Sequence, residues 1–225
     1  MGLYKACSSF NFQGCFHDDK FLSTRGVKWD TILHVGRLIE DENSFTIAVE
    51  MRDWITANLP SHAIPLDDAS FQRILLNDSY TEQSAFALVF RATNQHYEDC
   101  QVWWDTQNEG QGLRELPKEK WKAFVNVEST VSTNLLLRRF FLTAKGSMGI
   151  GPPRMKAGDE VWVLRGGKVP HILRPSEEIF SLPDVNVVDQ PCHTLVGEAY
   201  VDGIMDGEAA AVLEKDETST GVFLF

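Results

Sequence analysis

A chain of 225 residues, 43% hydrophobic and 11% aromatic, carries enough apolar mass for a substantial core and is not a disordered polymer. Its formal net charge of −11, from 32 acidic against 21 basic residues, repels phosphate backbones and anionic lipid, so neither nucleic acid nor a membrane is the expected partner. No apolar run reaches the ~18 residues of a membrane span, and MGLYKACSSF has no basic segment leading into an apolar one, which predicts an acidic cytoplasmic protein.

Gly2 invites lipidation, but Ala6 stands where a myristoylation motif carries Ser or Thr. Cys7, Cys15, Cys100 and Cys192 form no CxxC pair and no Cys/His cluster, so no metal is predicted. Free thiols are the default reading, with Cys7 and Cys15 the pair a short loop would bring together.

In chain order, FLSTRGVKWDTILHVG predicts two strands bent about Gly26, a hairpin or bulge within residues 20–40. DENS at 41–44 supplies helix-capping residues, and Phe45, Ala48, Val49, Arg52 and Ile55 continue at helical spacing until Leu59-Pro60. A second helix follows Asp67-Asp68, with Phe71, Ile74 and Leu75 on one face, and stops near Asn77-Asp78. From Thr81, the run to Trp103-Trp104 reads as a longer helix burying Phe86, Val89 and Phe90. Residues 105–117 read as a loop, and Pro117 opens a helix through Trp121, Phe124, Val125 and Glu128.

Beyond Arg138 the pattern changes to short apolar strands punctuated by glycine. Val161 and Val163 face Val169 and Ile172 across a Gly166-Gly167 turn, and Leu195, Val196, Tyr200 and Val201 repeat the style. In the tail, Val222, Phe223 and Leu224 offer a docking segment. The predicted fold is α+β, within one domain over 1–225. A helical layer at about 41–136 packs on a small antiparallel, partly barrel-like sheet, drawn from the 20–40 hairpin and the strands of about 138–210.

The strand region also carries a family resemblance. Arg139-Phe140 lead into Thr143, Gly146, Gly149, Gly151 and Pro152. Gly158-Asp159-Glu160-Val161, Gly166-Gly167, Pro170 and Leu173-Arg174 follow, and then Val196-Gly197-Glu198, Tyr200-Val201 and Gly203-Ile204-Met205-Asp206-Gly207-Glu208. This ordered series resembles the C-terminal region of fungal heterokaryon-incompatibility (HET) proteins. Tyr4-Lys5-Ala6 resembles the Y-x-A that follows their HET domain. LSTRGVKWDTI, with Asp30 and Ile32 in place, is similar to a later motif in which Thr24 replaces the usual Val. The resemblance begins where the HET domain would end, which implies a chain without that domain and without its death-triggering role.

The candidate site residues divide by chemistry. Asp202, Asp206 and Glu208, with His171 and His193, are the candidates for proton transfer, set against turn chemistry for the acids and ordinary surface or core roles for the histidines. Arg139, Arg174, Glu198 and Tyr200 are the binding candidates. At least one of the two arginines, both set among apolar strand residues, is expected to pair with Asp159, Glu198 or Glu208. Gly146, Gly149, Gly151, Gly158, Asp159, Gly203 and Gly207 are assigned to turns. The order of the first three reverses a dinucleotide fingerprint, and Pro152-Pro153 break the strand–loop–helix context one would need. No motif implies a cofactor. The resemblance implies a regulatory module for self/non-self recognition, binding a protein partner or small-molecule ligand. The alternative is a small-molecule enzyme, of acid/base isomerase, cyclase or hydrolase type, built on the same scaffold for specialised metabolism.

Overall fold

The computed structural model describes residues 3–7, 14–17, 21–40, 43–82, 88–111, 113–180, 190–209 and 220–224. The chain is α+β. Helix α1 (Ser44–Asn58) starts where the Asn43 side chain accepts from the Phe45 and Thr46 amides. It buries Ile47, Ala48, Met51 and Ile55, and ends at Leu59, ahead of Pro60. Helix α2 (Asp68–Leu76) is capped by Asp67, which accepts from Ser70 N at 2.7 Å, and closes on Asn77.

The next stretch departs from the predicted long helix. Asn77 and Asp78 both adopt positive φ, 48° and 49°, a conformation their short polar side chains tolerate, and the chain turns out of the helix there. Two short strands follow, β1 (Ser79–Glu82) and β2 (Leu88–Arg91), paired as an antiparallel hairpin. Tyr, Thr, Val and Phe suit strands better than helices, and Thr93 then opens helix α3 (Asn94–Asn108) in a capping box with His96. Val89 and Phe90, expected in a core, are 47% and 45% exposed; Phe86 lies outside the described residues. Helix α3 also runs into the predicted 105–117 loop. Pro117 occupies the cap position of helix α4 (Lys118–Leu135), one residue ahead of its expected place.

The sheet centres on one long strand, β3 (Phe21–Val35), where a hairpin or bulge about Gly26 was expected; the strand is bulged beyond Gly26 and does not reverse there. Both edges of this strand find partners, so the chain has no reason to reverse. Strand β4 (Thr220–Leu224) pairs antiparallel at residues 22–26, and β5 (Glu160–Leu164) at residues 26–31. Register shifts between Lys28 and Asp30 and between Ile32 and His34 bend the strand instead. The N-terminal hairpin is made upstream, by β6 (Gly14–His17) on residues 21–24.

From β5 the pairing continues through β7 (His171–Phe180) and β8 (Gln190–Glu198) to β4, which is parallel to β8 and returns to β3. Strands β9 (Arg139–Thr143), β10 (Met148–Gly151) and β11 (Tyr200–Val201) extend β3 as an open flap. Among the described residues the nine-stranded sheet as a whole is therefore not closed, and its curled part is the barrel-like portion. The tail segment is an integral strand of this sheet.

Period-two alternation divides the core into three clusters. Phe140 and Leu142 of β9 face the helices with Met51, Ile74 and Trp103, while Phe141 faces Val161 and Val163 of β5. Trp162 and Leu164 point to the other face of β5, onto Leu173, Val222 and Leu224.

Candidate functional site

Gly149 and Gly151 are strand residues, not turn residues. A Cβ on Gly149 would lie 2.4 Å from the Tyr200 carbonyl oxygen and 2.7 Å from the Phe141 ring. Gly149 thus lets the segment at Tyr200 lie flat on β10, while Gly151 makes room for the Met155 side chain. Gly146, Gly158, Gly203 and Gly207 do have positive φ and sit in turns.

The predicted carboxylates meet arginines from the helical part. Arg73 Nε donates to Asp202 Oδ1 at 2.8 Å and its Nη2 to Oδ2 at 3.0 Å, a two-pronged contact that holds the guanidinium well above its usual range. Arg91 donates to both Asp206 oxygens and to Asp78, which also accepts from the Tyr97 hydroxyl. Glu208 accepts from the Asp206 amide at 2.8 Å. Asp202 and Asp206 thus join β11 and the following turn to α2 and the β1–β2 hairpin, while the Glu208 contact is local to that turn.

The histidines go elsewhere. His193 Nε2 lies 3.2 Å from Glu160, which also accepts from Lys28 at 2.5 Å and Trp162 Nε1 at 2.8 Å. Burial alone would raise the Glu160 carboxyl; these donors overcome it and hold the group at about 2. His171 stands beside Glu198 across the β7–β8 ladder, and its burial pushes its pKa below the ordinary value.

Among the binding candidates, Arg174 pairs with the fully buried Asp159 through bonds of 2.8 and 2.9 Å, as expected for one of the two arginines. Asp159 Oδ2 also accepts from Lys156 N at 2.8 Å, closing the turn into β5. Arg139 instead donates to the carbonyls of Pro153 and Gly36, at 2.8 and 3.0 Å. Neither arginine is among the residues that line the cavity bordered by Glu198 and Tyr200.

Glu198 and Tyr200 do line a cavity of about 140 Å³ where the helical part meets the sheet. Ile150, Val169, Ala199 and Met205 form its apolar walls, and Tyr4 and Tyr200 lie with ring centroids 6.3 Å apart. Asn77, the α2 cap, and Arg138, whose Nη1 donates to the Glu198 carbonyl at 3.0 Å, complete the rim. Tyr4 donates to the Asn77 carbonyl, and burial raises it to about 12; burial likewise raises Tyr200. Both phenols stay neutral donors near pH 7. Sequence reasoning missed Tyr4, Asn77, Arg138 and Met205, whose only signal was membership of the family motifs or a helix-stop position.

Among the described residues, no group of three or more His, Cys, Asp or Glu side chains is placed to hold a metal, and no helix is long and apolar enough to cross a membrane. Cys7 Sγ accepts from Gly166 N at 2.8 Å.

Fold and cavity together define a class: an α+β scaffold with a curled sheet and a compact recess at the layer junction. A profile of the Het-6 beta-barrel domain matches residues 61–219, and the chain belongs to that family. It is similar to "Heterokaryon incompatibility protein 6, OR allele" of Neurospora crassa, with 38% identity over 80 residues, 36% of this chain. That match spans only 10% of the Neurospora protein's length. No solved structure matches.

Proposed function

We propose that this chain is a recognition and regulatory module of fungal heterokaryon incompatibility, and that the recess at the layer junction is its binding site. The observation that carries the reading is the cavity of about 140 Å³ shared between Tyr4 and Asn77 on one side and Ile150, Ala199, Tyr200 and Met205 on the other. That volume is comparable to an engineered cavity of ~150 Å³ that accepts benzene, so the occupant is a compact apolar group with a polar end at the Arg138–Glu198 rim. An occupant touching both sides ties the helical part to the sheet, which is a route to regulation. The carboxylates on which the enzymatic alternative rests, Asp202 and Asp206, are engaged by Arg73 and Arg91.

The test fills the cavity. Expressed in a fungal strain pair that forms heterokaryons, the wild-type chain alters fusion compatibility. Ala199→Leu abolishes that effect while unfolding at the wild-type temperature. A folded Ala199→Leu chain that retains the full effect overturns the reading.

A further inference from the structure

The β1–β2 hairpin has an unused side. Among the described residues β2 pairs with β1 alone, so its outer edge presents unpaired backbone groups, a template for another strand. Leu88, Val89 and Phe90 on that edge strand are 50%, 47% and 45% exposed, an unusual run of large apolar side chains in an acidic protein. Charge, proline or a covering element would normally blunt such an edge.

Beside it lies a cleft of about 310 Å³, between the hairpin and helices α3 and α4. The Tyr80–Phe90 pair and His96, stacked on Tyr80 at 3.8 Å between centroids, form its aromatic wall. Glu82, Asp99 and Glu119 supply negative charge, and Lys122, the one lysine or arginine of the lining among the described residues, is engaged by Glu82. His96 adds no charge near pH 7. Burial lowers its pKa, and its Nδ1 accepts from Thr93 N at 3.1 Å.

We infer that the outer edge of β2 and the adjoining cleft dock an extended, basic segment of a protein partner. A strand added to β2 alternates its side chains, so every second one falls on the face that carries Tyr80, Glu82, Leu88 and Phe90. An arginine there meets aromatic faces and carboxylates together, which suits a guanidinium. The edge supplies affinity through main-chain bonds, and the acidic cleft selects the charge. This surface is separate from the junction recess and does not depend on it.

The test uses the full chain and a short synthetic peptide of alternating valine and threonine with a central arginine. Expected are saturable binding, amide shifts confined to Leu88–Arg91 and its neighbours, and a loss of about fivefold to tenfold in Asp99→Lys/Glu119→Lys. Val89→Pro abolishes binding, and Ala199→Leu leaves it unchanged. A peptide with glutamate in place of arginine that binds equally well overturns the proposal. So does failure of the arginine peptide to bind, including the case where the edge proves occupied by a second copy of the chain in sedimentation.

Discussion

Two sets of arginine–carboxylate pairs hold this protein, and they differ in kind. Arg174–Asp159 lies within the sheet region; its carboxylate is wholly buried and is also tied to a backbone amide. Arg73–Asp202 and Arg91–Asp206 bridge the helical part and the sheet, with the Asp202 carboxylate 14% and the Asp206 carboxylate 57% exposed, so Arg91–Asp206 is the bridge at the surface. A wholly buried carboxylate with three donors is costly to remove, because truncation leaves a cavity and takes the acceptor from the Lys156 amide and from the inner side of Arg174. A bridging pair at the surface is screened, and its removal lets water solvate the arginine. The sheet pair therefore governs stability, whereas the bridging pairs govern how the layers meet around the recess.

The largest effect is expected at the sheet pair. Asp159→Ala should lower unfolding free energy by about 3 kcal/mol, read from urea denaturation; a loss no larger than that of a bridging-pair variant would erase the distinction. Glu160 tests a case between the two. Its folded carboxyl sits at about 2 against an ordinary 4.5, so its stabilisation is present above 4.5 and is lost as pH falls toward 2. The stability gap between wild type and Glu160→Gln should accordingly be constant above pH 5 and close between pH 4.5 and about 2 in thermal melts. A gap that persists at pH 2 would mean that the lost donors' geometry, not the charge, is what matters. The smallest effect falls on the bridge. Asp206→Asn, at the more exposed of the two bridges, should cost about 1 kcal/mol or less, yet alter amide shifts of Tyr4, whose ring lies against Arg91, and of Tyr200 at the recess; silence there would show that the bridge does not position the cavity.

Legibility followed the range of the interactions. Helices α1 and α2 could be read from local signals, because Asn43 and Asp67 satisfy amides two or three residues away. The run from Ser79 to Trp104 could not, since Val89 and Phe90 at helical spacing imitate a buried face. The turn at Asn77–Asp78 and the hairpin register decide otherwise. Gly149 likewise looked like a turn residue, because a glycine's spacing does not reveal that a carbonyl from Tyr200 approaches it. Of the candidate site, Glu198 and Tyr200 were legible through the family motif, and Tyr4, Asn77 and Arg138 were not.

By itself, then, the sequence determined the α+β class, helices α1 and α2 with their caps, the need for a buried carboxylate partner for an apolar-flanked arginine, and the family. Those are properties of periodicity, local hydrogen bonding and ordered motifs. Only the tertiary structure decided that residues 21–35 run as one bent strand, that the tail closes onto β3 and β8, and that Asp202 and Asp206 serve as layer bridges. Apart from the tail's pairing with β8, each of these depends on partners more than a hundred residues away along the chain, such as Arg73 for Asp202, and long-range pairing leaves no periodic trace in either segment alone.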